Sequence, residues 1–160
     1  MRKIFIIIFL LWFLAVFQQS FFFSFHFASF NLVLVAVFLL SFFKERNKLL
    51  IGFLGGLILD LVSVSLIGTF AFSLLLVSFL VKKMTQIFYS SNILSIVLTF
   101  VFSFFIYKLS YPLIESALLF LNFKGLQIPS FQLSFSLFGE LALSTMTVGI
   151  GSFLVKKYVL

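Results

Sequence analysis

Cysteine is missing from this 160-residue chain, which excludes disulfides, thiolate metal sites and cysteine nucleophiles. Charge is scarce: Asp and Glu together number 4, and charged residues make up 9% of the chain. A soluble domain carries about 25% charged residues and needs polar side chains to cover its surface. Histidine occurs once, at His26, and a lone imidazole does not build a metal site. No phosphate-cradling glycine loop, nucleophile elbow or paired-histidine zinc pattern is found. The serines are plentiful but scattered, as in many membrane helices. These absences argue against an enzyme, and neither a cofactor nor a metal is expected.

What the chain does have is apolar bulk. Hydrophobic residues make up 63% of it, Phe alone fills 28 positions, and the mean hydropathy is +1.31. Lipid solvates such a surface, whereas a water-facing fold could not hide it. The sequence therefore predicts an integral membrane protein. The net charge of +7 does not point to nucleic acid. The basic residues sit in small clusters between apolar runs, the pattern that orients a membrane protein, and no basic stripe on a polar helix is present.

Those clusters divide the chain. Arg2 and Lys3 open it, and no charged residue follows from Ile4 to Phe43. A span needs about 20 residues, so this run predicts two helices turning between Gln18-Gln19-Ser20 and Ser29. Its length, and the lack of a small-x-small cleavage site, argue for a retained first helix over a signal peptide. Lys44-Glu45-Arg46-Asn47-Lys48 comes next, then an apolar run from Leu49 to Val81 broken only by Asp60. This run predicts two short spans turning near Ser63–Gly68. Lys82-Lys83 follow, then a fifth span over Asn92–Tyr107. The more polar stretch Lys108–Ser130 contains the apolar segment Ile114–Phe123, which predicts a helix lying in the interface. A sixth span is expected over Phe131–Val155, closed by Lys156-Lys157. The expected fold is all-α: a polytopic membrane helix bundle of about six transmembrane helices, with residues 1–160 as a single integral membrane domain. Six spans place Arg2, Lys3, Lys44, Arg46, Lys48, Lys82, Lys83, Lys156 and Lys157 on one side, which makes both termini cytoplasmic by the positive-inside rule.

Asp60 is the most informative residue. An acid inside a membrane run costs roughly 2.5–3.5 kcal/mol at the helix centre. Gly52, Gly56 and Asp60 are spaced i, i+4, i+8 and so share one helix face, and Gly-x-x-x-Gly is a close-packing motif of membrane helices. Asp60 is thus expected in a helix–helix contact. It serves there either as an ion, substrate or partner site, or as an acid near the outer helix end that caps the turn or meets hydroxyls such as those of Ser63 and Ser65. Glu140 lies within the sixth apolar run and calls for a partner, either Ser144 one turn on or a residue of another helix. Lys108 and Glu115 read as a surface pair of little worth. Gln18 and Gln19 are awkward in lipid and are expected against other helices or at the outer interface.

The stretch from Asn31 to Lys83 resembles the MreD family of rod shape-determining membrane proteins. The residues that carry the resemblance are Gln18, Asn31-Leu32, Gly52-Phe53, Gly55-Gly56-Leu57, Asp60-Leu61, Ser63, Gly68 and Ala71, with Lys82-Lys83 closing the run. Where this chain has Phe30-Asn31, the family often shows Pro-Asp. The resemblance implies a bacterial inner-membrane scaffold of cell elongation, with no reaction of its own. Its implied partners are membrane lipid and an MreC-like single-span membrane protein, and through them the MreB cytoskeleton and the peptidoglycan synthases. Gly52, Gly55, Gly56, Asp60 and Gly68 become candidates for helix packing or a partner interface, and Gln18, Asn31 and Glu140 further polar candidates inside the membrane. Substrate-binding S-components of energy-coupling-factor vitamin transporters show similar glycine-rich hairpins and share the implied fold, which makes vitamin binding the alternative function.

Overall fold

The computed structural model describes residues 2–24, 31–43, 47–63, 66–87, 93–121 and 136–158. Among these residues the chain is all-helical: α1 (Arg2–Ser24), α2 (Leu32–Phe43), α3 (Lys48–Val62), α4 (Thr69–Ile87), α5 (Ile93–Leu121) and α6 (Ser136–Tyr158). Lipid offers no hydrogen bonds to a backbone, so a segment within it must satisfy its own amides and carbonyls, as a helix does. Six helices agree with the expected number. Among the described residues, three segments are long and apolar enough for a full crossing: Thr69–Ile87, Ile93–Phe120 and Leu137–Val155.

Short α2 is the centre of the bundle. It contacts α1, α3, α4 and α6, and reaches α5 where the Phe38 and Phe100 rings meet edge to face at 4.9 Å. Leu11, Ala15, Val33, Val37, Phe38, Leu59, Leu74, Val77, Phe100 and Val148 form the buried core around it. The lipid-type surface lies on the outer helices: Phe9, Trp12 and Phe13 of α1, Phe102 and Phe105 of α5, and Phe138 and Phe153 of α6 are all exposed.

Two helix boundaries depart from the sequence reading. α1 runs on to Ser24, so Gln18-Gln19-Ser20 lie inside a helix, and the remainder of the expected turn region, 25–29, lies outside the described residues. Phe21–Phe23 continue the apolar run, and Gln18 finds a partner on α2. The second departure is α5, which does not stop at Tyr107. It continues through Lys108 and Pro112 to Leu121, so Ile114–Leu121 extends the fifth helix and is not a separate interfacial one. Proline deletes one helix hydrogen bond, but membrane helices tolerate it where neighbours and hydroxyls compensate. At 1.5 Å per residue, α5 is about 43 Å long, more than the roughly 30 Å of a hydrocarbon core. The expected start of the sixth span at Phe131 lies outside the described residues, as do His26, Lys44-Glu45-Arg46, Ser65, Asn92, Asn122, Lys124 and Pro129.

Candidate functional site

The face made by Gly52, Gly56 and Asp60 is turned onto α4. A Cβ on Gly52 would strike the Ser78 side chain and stand 2.6 Å from the Leu74 carbonyl. One on Gly56 would run into the backbone of Phe70 and Ala71. Glycine is required at both positions because α3 and α4 approach backbone to backbone. Gly55 faces the other way, where an added Cβ would sit 2.5 Å from Val37 of α2. This packing uses the three glycines inside the chain itself.

Asp60 closes the same hairpin. Its Oδ2 accepts from the amides of Gly68 at 2.9 Å and Ala71 at 3.1 Å, and its Oδ1 accepts from Phe70 at 2.9 Å. The side chain is 3% exposed. The first amides of a helix have no partner within it, and a carboxylate there also meets the positive end of the helix dipole. Asp60 therefore caps α4 from the helix before it. Gly68 makes the arrangement possible by adopting φ 105°, a conformation that residues with a Cβ rarely reach. At the far end of the hairpin, Lys48 Nζ donates to Thr85 Oγ1 at 2.9 Å. Midway along α4, Ser78 and Ser41 of α2 share a hydrogen bond at 3.1 Å.

The remaining polar candidates gather at the end of the bundle away from Lys48. Asn31 Oδ1 accepts from the Leu34 amide at 3.0 Å, the geometry of a helix cap, and its Nδ2 donates to the Tyr107 hydroxyl at 2.9 Å. Asn and Asp cap helices about equally well, so Asn31 can do what an aspartate at this position would do. Gln18 Oε1 takes the Val33 amide at 3.3 Å, which ties α1 to the start of α2.

Glu140 does not pair with Ser144 through its side chain. The Ser144 hydroxyl donates instead to the Glu140 backbone carbonyl at 2.6 Å. The carboxylate partner is Lys108 of α5, whose Nζ lies 2.7 Å from Oε2. Lys108 is thus committed to Glu140 and not to Glu115. The contact is close but poorly directed. Neither carboxylate oxygen receives a well-formed hydrogen bond among the described residues, although Glu140 is only 4% exposed.

A half-open cavity of about 270 Å³ lies here, with Gln18, Asn31, Tyr107, Lys108, Tyr111 and Glu140 in its wall. Gln19 and Phe70 complete the lining, and the Phe70 and Tyr111 rings stand 4.9 Å apart. The sequence reading missed Tyr107 and Tyr111, and it missed Lys108 as the partner of Glu140. One signal was available: Lys108 and Glu140 are opposite charges within apolar helices, where ionisable groups pair with one another.

The family model described as rod shape-determining protein MreD matches residues 2–150 of the chain. No curated protein and no solved structure matches it.

Proposed function

The chain belongs to the MreD family of rod shape-determining membrane proteins, and from that premise we propose that it is a scaffold of the cell-elongation machinery in the bacterial inner membrane. In this reading it docks the transmembrane helix of an MreC-like single-span protein. Through that partner it links the MreB cytoskeleton to the peptidoglycan synthases. The observation that carries the reading is the family match over residues 2–150. The surface agrees with it: large apolar side chains remain exposed on α1, α5 and α6, and helices associate in lipid through close packing and a few polar contacts. The residues form one membrane domain with both termini in the cytoplasm, the orientation that keeps the basic clusters inside.

Pull-down of the full chain from native membranes, read by mass spectrometry, tests the proposal. Recovery of a single-span MreC-like protein or of wall-synthesis enzymes is the expected result, together with rounding of rod-shaped cells that lose the protein. A second reading, a vitamin-binding S-component, draws on the polar cavity. At about 270 Å³ the cavity is just below the range of ligand pockets, which run from about 300 to 1,000 Å³. Recovery of two ATPase subunits with a stoichiometric vitamin would replace the first reading with this one. Reporter fusions at Lys83 and the C-terminus are expected to report cytoplasm, and a C-terminal fusion reporting the outside would overturn the orientation.

A further inference from the structure

The cavity at the Asn31 end of the bundle contains an unmet chemical demand. Glu140 is 4% exposed, and its Oε1 has no partner among the described residues. A buried carboxylate oxygen without a donor is costly, and Lys108 stands 2.7 Å from Oε2 without a well-directed hydrogen bond to it. Lys108 also lines the cavity and has three N–H bonds to give. Tyr107 accepts the Asn31 amide, which leaves its own hydroxyl proton to donate elsewhere. The wall thus presents one strong acceptor beside strong donors, and its two formal charges cancel. A simple cation would be repelled by Lys108 and a simple anion by Glu140. A ligand carrying both charges satisfies both groups.

Two further observations narrow the class. The Tyr111 ring adjoins those of Phe70 and Tyr107, with centroids 4.9 and 6.3 Å away, and aromatic faces attract ammonium groups. The level of the cavity is also informative. Asn31 directly precedes α2 and Phe70 lies in the first turn of α4. Starts of apolar helices mark the edge of the hydrocarbon layer, where lipid head groups are concentrated. We propose that this cavity binds a zwitterionic ammonium–phosphate head group, the ammonium donating to Glu140 Oε1 and the phosphate held by Lys108. The head group is either that of a phosphatidylethanolamine or the same chemistry free in solution as phosphoethanolamine. This inference stands apart from the partner-docking reading, since it concerns a small ligand and not a protein.

Native mass spectrometry of the full chain in detergent tests it, with dioleoyl phosphatidylethanolamine, phosphatidylcholine and phosphatidylglycerol added in turn. The quaternary ammonium of phosphatidylcholine has no N–H for Glu140, and phosphatidylglycerol has no ammonium. One phosphatidylethanolamine should be retained about tenfold better than either, the worth of one hydrogen bond to a charged group. This comparison needs no variant, so it survives any folding defect. In folded Glu140→Gln the preference over phosphatidylcholine should shrink, and in Lys108→Met retention of phosphatidylethanolamine should fall. Displacement of the lipid by free phosphoethanolamine supports the proposal with the head group alone as ligand. Resistance to displacement supports it with the lipid as the source. Equal retention of the three lipids by the unaltered chain, or an unchanged preference in folded Glu140→Gln, overturns it.

Discussion

Asp60 and Glu140 are both acids in apolar helices, 3% and 4% exposed, yet their surroundings differ. Asp60 is surrounded by backbone. Three amides of one helix start converge on its two oxygens, in a hairpin whose helices touch along glycines. Glu140 is met by a single flexible lysine and borders a cavity. Burial alone therefore does not distinguish a structural acid from a candidate binding group. The distinction lies in whether the protein's own fixed donors satisfy the oxygens. Asp60 is used up by the fold, while Glu140 retains capacity for something else.

Substitutions can sharpen this contrast. The largest effect is expected in the hairpin, at Gly56→Leu. Even one carbon there collides with the backbone of α4, and backbone cannot step aside as a side chain can, so folded monomer should disappear in size-exclusion chromatography. Asp60→Leu comes next. It leaves three amides without an acceptor, and at about 1–3 kcal/mol for each buried unsatisfied group the loss should exceed about 3 kcal/mol in a thermal or denaturant melt. Asp60→Asn keeps one acceptor oxygen and should lose less. A folded, abundant Asp60→Asn protein without function in cells would show that the charge itself matters, and would break the contrast.

At the other acid the expected effects are smaller and can change sign. Replacing Lys108 and Glu140 together by Met and Leu should be neutral or mildly stabilising, because ion pairs removed from water often gain little over apolar packing. Glu140→Leu alone should cost more than the double change, since it strands Lys108. A double-mutant cycle by thermal melt measures the difference. The smallest effect is expected at Gly149→Ala, where an added Cβ meets nothing within 4 Å. It should stabilise α6 by about 0.5–1 kcal/mol, the usual helix penalty of glycine relative to alanine.

The part of this design legible in the sequence is the local part. Gly52, Gly56 and Asp60 share a face because helical spacing is fixed, and the apolar runs show the helices because lipid tolerates few charges. The family resemblance, carried by those same residues, agrees with the match over residues 2–150. Lys108 and Glu140 meet only after α5 and α6 pack, and no spacing rule relates residues so far apart. Lys108 and Pro112 also disguised the continuation of α5, since each suggests a helix end when its neighbours are unknown. Tyr107 gave no sign of partnering Asn31, because an aromatic ring in an apolar helix looks like any other core residue.

The shortness of α2 also bears on how the protein enters its membrane. Its 12 described residues are fewer than the roughly 17–25 needed for an autonomous crossing, and they span about 18 Å. Insertion machinery would not hold such a segment across the bilayer by hydrophobicity alone. Arriving with α1, as one uncharged block from Ile4 to Phe43, it would find Gln18 Oε1 placed to accept from the Val33 amide. The most buried helix is therefore the one with the least independence during synthesis. A fault in the first 24 residues would be felt as a failure to insert the core.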